Sequence, residues 1–345
     1  MFNNYDTLLI FNEDNRYYFS GFRSSFGCVI LSAKKKVLIT DSRYESEARK
    51  SAVGFVVIQT TASNFYQVIL KQLELSKAKI IGFENDSMTV SEFETLKSNL
   101  PGYVFVPASE DIANKRVIKT EDEIEKIALA EEVTIKAFND VVSAIKIGMS
   151  EKEVSDMITY AMLKNGATEP AFSNIVCFGS SSACPHHVPS SERKLAKNDI
   201  ILIDIGAKVN GYCGDLTRTF CFGDPDKKLA SIHKIVHDAQ KFVLKNLKAG
   251  LTGKEVDSMA REYLLAHGYK DEFCHSLGHG IGVNVHERPY ASQRSDEILK
   301  ENMVISVEPG VYLEGEGGIR IEDIVVIKND GIINLTTNLS KEIKI

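Results

Sequence analysis

Ile200-Ile201-Leu202-Ile203-Asp204-Ile205-Gly206, the dipeptide Asn210-Gly211, and Asp215-Leu216-Thr217-Arg218-Thr219-Phe220 are the stretch whose reading decides the fold. Two β-rich runs flank a pair of residues that tolerate positive φ, which is the sequence signature of a hairpin with a two-residue turn. Counting back from that turn sets Thr217 opposite Asp204 and makes Asp215 its diagonal neighbour on the same face. Two acids then point the same way from strands that are otherwise apolar. A second hairpin follows the same plan. Val304-Ile305-Ser306-Val307-Glu308 leads through a Gly-rich turn at 315–318 into Gly318-Ile319-Arg320-Ile321-Glu322-Asp323, with glutamates in place of aspartates.

The helices ahead of each hairpin repeat as well. Lys146, Gly148, Lys152, Glu153, Val154, Met157 and Gly166 recur 102 positions later as Lys248, Gly250, Lys254, Glu255, Val256, Met259 and Gly268. Each copy opens with a capping box, Ser150 with Glu153 and Thr252 with Glu255, and stops at a glycine. Thr120 with Glu123 opens a further, longer helix that ends near Gly148. A duplicated α+β unit with a pseudo-twofold repeat is the reading for residues 120–345.

Residues 1–110 are organised differently. Strand-like runs at 8–11, 28–31, 37–40, 55–58, 79–83 and 103–106 alternate with helical spacing at 43–51, 63–75 and 90–99, the pattern of an α/β layer domain. The polar stretch 107–119 reads as the linker between the two. At 345 residues the chain is long enough for two such domains. Its 43% hydrophobic and 26% charged residues exclude a fibrous or disordered chain.

A formal net charge of −6 leaves no cationic excess for nucleic-acid phosphates or an anionic membrane, and no apolar run is long enough to span a bilayer. The N-terminal residues lack a basic region followed by an apolar stretch, so a cytoplasmic location is the expectation. The six cysteines include no Cys-x-x-Cys pair and read as reduced.

An ionised acid inside an apolar strand is costly unless a cation compensates it. Asp204 and Glu308 stand in such strands, and with Asp215 and Glu322 they make four converging carboxylates. One divalent ion would be over-neutralised by four negative charges; two would balance them. A histidine turns the set into a mixed oxygen and nitrogen cage for two first-row divalent ions. His275-Ser276-Leu277-Gly278-His279-Gly280-Ile281-Gly282 follows the second copy's helices and supplies the candidates His275 and His279, while His186 and His187 hold the corresponding place in the first copy. His286 lies further on. By contrast His233, His237 and His267 fall on helices with no acidic cluster nearby.

These residues resemble the pita-bread metallopeptidases, the group of prolidase, aminopeptidase P and methionine aminopeptidase. The likeness rests on Asp204, Asp215, His279, Glu308 and Glu322 with their flanking residues, including Val307-Glu308-Pro309-Gly310. Arg16-Tyr17-Tyr18-Phe19-Ser20-Gly21-Phe22 and Leu38-Ile39-Thr40-Asp41-Ser42-Arg43-Tyr44 resemble the creatinase-type N-terminal domain found on the Xaa-Pro peptidases. The resemblance implies an α/β N-terminal domain ahead of a pita-bread catalytic domain.

It implies further that Asp215 and Glu322 bridge two metals, that Asp204 binds one, and that His279 and Glu308 bind the other. Manganese is favoured over cobalt or zinc. Glu308 would also shuttle a proton, His186, His275 and His286 would surround the substrate, and Arg320 would orient carboxylate ligands. The segment between His186 and Asp204 is one residue longer than the prolidase pattern, which leaves His187 as an alternative to His186. Small proline-containing peptides are the implied substrates and a homodimer the implied assembly. Of the two activities, hydrolysis of Xaa-Pro dipeptides is expected first, with Arg288 as partner for the dipeptide's carboxylate, and the aminopeptidase P activity on longer peptides second. A binding protein that has lost its ligands, or a hydrolase of the creatinase kind that works without metal, is disfavoured by the intact ligand set.

Overall fold

The computed structural model describes residues 4–337 and 339–344. It divides into two units, Met1–Lys115 and Arg116–Ile345.

The first unit is built on one six-stranded sheet in the order Val56–Thr60, Lys36–Asp41, Cys28–Ser32, Thr7–Ile10, Ile80–Phe83, Val104–Pro107. Its three central strands pair antiparallel, and the outer ones join in parallel. All six strands read from the sequence are present. Alternate residues go to opposite faces: Leu8, Ile10, Val29 and Leu31 pack into one core, and Leu9, Cys28, Ile30 and Ile39 into another. Both faces are covered, which is why these strands read as continuous apolar runs rather than as alternating ones.

Two helices depart from the sequence reading. Glu13–Ser20 forms a helix capped by the Asn12 side chain, yet its buried residues are Asn15, Arg16 and Ser20, so no apolar period announces it. Glu84 holds it in place, accepting from the Asn15 side chain at 2.7 Å and from the backbone N–H of Phe11 at 2.6 Å. The stretch expected as a linker contains the helix Ser109–Arg116. Ile112, buried in the first unit's core, is the apolar anchor of an otherwise polar segment, too little to produce a period.

In the second unit the repeat takes shape. Helices Glu121–Val142 and Glu151–Lys164 pack on the sheet Leu216–Cys221, Ile200–Ile205, Ile175–Phe178 in the first copy. Helices Lys227–Asn246 and Gly253–Ala266 pack on a five-stranded sheet in the second. The capping boxes at Thr120, Ser150 and Thr252 all form.

The hairpins fall in the expected register. Val209 pairs with Tyr212 around Asn210 and Gly211, both at positive φ (47° and 75°), and Thr217 stands opposite Asp204. In the second copy Val307 faces Asp323 and Gly310 faces Arg320, so Glu308 and Glu322 fall opposite one another between the two ladders. No helix among the described residues is long and apolar enough to cross a membrane.

Candidate metal centre and cavity

The two hairpins bring their acids to one cavity of about 570 Å³, whose lining includes Asp204, Asp215, His279, Glu308, Glu322 and Arg320. Asp215, His279 and Glu322 are buried, with ligand atoms within 4.8 Å of one another. His279 Nε2 lies 3.3 Å from Glu308 and 3.6 Å from Asp215. Its Nδ1 faces the Gly280 carbonyl at 3.1 Å. Burial pushes the imidazole's pKa down, but the Glu308 hydrogen bond and charge outweigh it and raise it. Nδ1–H donates to the Gly280 carbonyl and Nε2–H to Glu308, and a cation bound at Nε2 would displace that second proton.

Burial, with mutual repulsion added, drives Asp215 and Glu322 well above the usual carboxylate range. Burial raises Asp204 too, against the pull of Arg320. At Glu308 burial pushes up, but the His279 hydrogen bond and charge outweigh it and hold the acid at about 2. Three acids pushed toward their neutral forms therefore stand beside one that is held ionised.

Asp204 Oδ1 and Glu322 Oε1 have no hydrogen-bond partner although they are buried. Buried polar atoms are normally satisfied. Orphaned oxygens beside an imidazole nitrogen make a donor set that fits divalent cations, which would ionise all four acids and occupy the unmet oxygens.

The remaining atoms of these side chains are held. Arg320 donates to Asp204 at 2.6 Å, to Thr217 at 3.2 Å and to the Tyr312 hydroxyl at 2.8 Å. Tyr312 stands 2.9 Å from His275 Nε2, while His275 Nδ1 faces the Ser276 carbonyl. The hydroxyl accepts from Arg320 and donates to Nε2, so a relay runs from Asp204 to His275. Thr217 donates to Glu322 at 2.8 Å, and Ser306 to Glu308 at 3.1 Å. The Asp215 backbone N–H donates to the fully buried Glu131 at 2.7 Å.

Each copy anchors its histidine loop with an acid from its second helix. Glu151 accepts from Phe178 N–H at 2.9 Å, Ser190 N–H at 2.9 Å and His187 Nε2 at 2.7 Å. Asp257 accepts from Leu277 N–H at 3.0 Å and clamps Arg261, which donates to the His275 carbonyl. Both His186 and His187 line the cavity; the imidazole of His187 is paired with Glu151, whereas His186 is exposed. His286, also exposed there, packs edge-on against His279 with ring centroids 4.2 Å apart. Burial, then the charge of His279, depresses it.

Arg288 corrects the sequence reading. Its guanidinium is paired with Glu297 at 2.8 and 3.1 Å, and the residue is not part of the cavity wall. Glu297 lies nine residues further on, a partner that no local pattern announces. Tyr312, Thr217, Ser306 and Glu131 also hold the site and are not among the residues the sequence singled out for it. Of these, Thr217 carried a signal, since the hairpin register already set it opposite Asp204.

Comparison with known proteins places the chain in company. Residues 125–329 match the model of metallopeptidase family M24, and residues 3–118 match the creatinase/prolidase N-terminal domain. The chain is 38% identical over 334 residues to the Xaa-Pro dipeptidase of Pyrococcus furiosus, covering 97% of this chain and 94% of that one. It is similar to the crystal structure of the X-Pro aminopeptidase from Thermotoga maritima, with a TM-score of 0.94, 40% identity, and 99% and 98% of the two chains covered. The structure of the Xaa-Pro dipeptidase from Bacillus anthracis gives a TM-score of 0.94 at 38% identity, covering 99% and 95%.

Proposed function

The chain belongs to metallopeptidase family M24, and from that membership and the carboxylate–histidine cluster we propose that it is a metal-dependent peptidase that removes a single N-terminal residue standing before proline. The observation that carries this reading is the convergence of Asp204, Asp215, His279, Glu308 and Glu322 on one cavity, with buried carboxylate oxygens left unmet.

In this reading those five residues hold two divalent cations. A donor set with one imidazole and otherwise carboxylates favours manganese over softer ions. When bound, the cations would supply charge neutralisation and lower the pKa of a bound water. Glu308, ionised beside His279, takes a proton from the attacking water and delivers it to the proline nitrogen, which otherwise leaves as a poor amide anion. Arg320 fixes the rotamer of Asp204 and, through Tyr312, the orientation of His275. His275, His286 and His186 line the cavity where a scissile carbonyl and its neighbours would lie.

Substrate length follows from charge. Among the described residues, Arg320 is the one arginine or lysine lining the cavity, and it is occupied by Asp204, Thr217 and Tyr312. A dipeptide's free carboxylate therefore meets no guanidinium of its own, which supports Xaa-Pro-Yaa and longer peptides as the better substrates. Cleavage of Xaa-Pro dipeptides is the second reading, favoured by the likeness to named dipeptidases. Assay of Ala-Pro beside Ala-Pro-Ala after manganese loading tests both. Faster turnover of the tripeptide is the expected result, and faster turnover of the dipeptide reverses the order. Cleavage of neither removes the proposal.

A further inference from the structure

A groove of about 550 Å³ adjoins the cavity and shares part of its wall, including Phe172, Val188 and Pro189, before reaching Lys152, Ser155 and Thr159 of the helix Glu151–Lys164. Val188 is 80% exposed there, an apolar surface with nothing packed over it. Asn174 lines both the cavity and the groove and is only 6% exposed.

Its amide nitrogen donates to the Ser155 carbonyl at 3.0 Å and to Thr159 Oγ1 at 2.9 Å. Thr159 spends its own proton on the Ser155 carbonyl, so its oxygen accepts from Asn174. A flipped amide would set oxygen against that carbonyl, which fixes the orientation. The consequence is that Asn174 Oδ1 is buried without a partner, in a residue that lines both cavity and groove. A buried acceptor left unmet is costly, and an anchored one is preorganised for a donor.

We propose that Asn174 is a specificity-determining residue whose Oδ1 accepts the backbone N–H of the residue after proline, with the adjoining groove carrying the peptide onward. This rests on the Xaa-Pro reading above. A peptidase that removes one residue has nothing beyond that residue's amine on one side, so a groove running out of the cavity serves the leaving side. Proline has no N–H, and the first backbone donor on the leaving side belongs to the next residue. A dipeptide has no such donor and presents carboxylate oxygen instead.

The test compares Ala-Pro-Ala with Ala-Pro-lactate, in which an ester oxygen replaces that N–H without added bulk, for the metal-loaded parent and for Asn174→Ala. The parent is expected to lose about tenfold in kcat/KM on the ester, the size of one hydrogen bond to a buried acceptor. In Asn174→Ala the two substrates should come within about twofold of each other. Equal rates in the parent overturn the proposal even if the variant does not fold, and so does an undiminished ester penalty in a folded variant. A parent that cleaves the tripeptide but ignores the ester change refutes Asn174 alone; a parent that cleaves no Xaa-Pro bond refutes the underlying activity and this inference with it.

Discussion

Glu308 and His233 show how differently two titratable side chains are used. Glu308 is held ionised against its burial by His279, the condition a proton acceptor needs. Glu308→Gln keeps the shape but cannot take up a proton, and its amide is a poorer ligand. The expected outcome is a fall in kcat of at least ~100-fold with an unchanged circular dichroism spectrum. Turnover within a few-fold of the parent would remove Glu308 from the proton path. His233, 4% exposed, faces the Thr219 carbonyl at 3.0 Å, and burial, with His237 nearby, pulls it down to about 4. The folded chain thus refuses a proton that the unfolded chain takes up below about pH 6.5. Stability from this group is intact above that pH and falls by roughly 1.4 kcal/mol per unit as the pH drops toward 4. His233→Gln keeps a donor for the carbonyl without a titrating ring. Urea titrations from pH 4 to 7 should show a shallower acid decline in the variant; parallel declines would acquit His233.

Among the elements, the hairpin that carries Asp204 and Asp215 depends on two glycines. A Cβ on Gly206 would lie 2.1 Å from the Gly214 carbonyl oxygen and 2.7 Å from the Phe172 ring, and one on Gly214 would meet Thr134 at 2.7 Å and the backbone of Ala130. The helix Glu121–Val142 crosses here, where Thr134 accepts from Ala207 N–H at 2.9 Å and Glu131 from Asp215 N–H. Gly206→Ala forces backbone atoms apart, at a cost on the order of 3 kcal/mol, and shifts Asp215 off its partner. The expected result is a lowered denaturation midpoint together with weaker manganese binding by calorimetry. Unchanged affinity in a folded variant would show that the hairpin tolerates the shift. The same elements explain what could be read in advance: Asn210-Gly211 and the β-rich runs flanking it set the register, whereas Glu13–Ser20 and Ser109–Arg116 bury polar or isolated side chains and have no period to read.

At the scale of the whole molecule, every candidate ligand lies in the second unit. Cations that bind only the folded state stabilise it by about 4 kcal/mol at a thousandfold excess over Kd. For a unit of this size that corresponds to a rise in Tm of roughly 8–16 °C. Manganese should therefore slow hydrogen exchange in the ligand-bearing strands around 200–220 and 304–323 and leave the strands at 7–60 unchanged. Chelation should reverse both the exchange and the activity. Full activity in a chelated, metal-free sample would remove the cations from the function.

The amino-acid sequence by itself determined the α/β first unit, the duplicated second unit, the two hairpins and the acids and histidines they carry. Each of those rests on a local period, a capping pair or a turn dipeptide, and backbone geometry converts such patterns into elements without reference to the rest of the chain. Tertiary structure alone decided the partnerships. Arg288 went to Glu297, His187 to Glu151, and Arg320 to Tyr312 and on to His275, while Asn174 was left with an unmet oxygen. A hydrogen bond needs two atoms within about 3 Å, and for residues far apart along the chain that distance exists only after the core has packed.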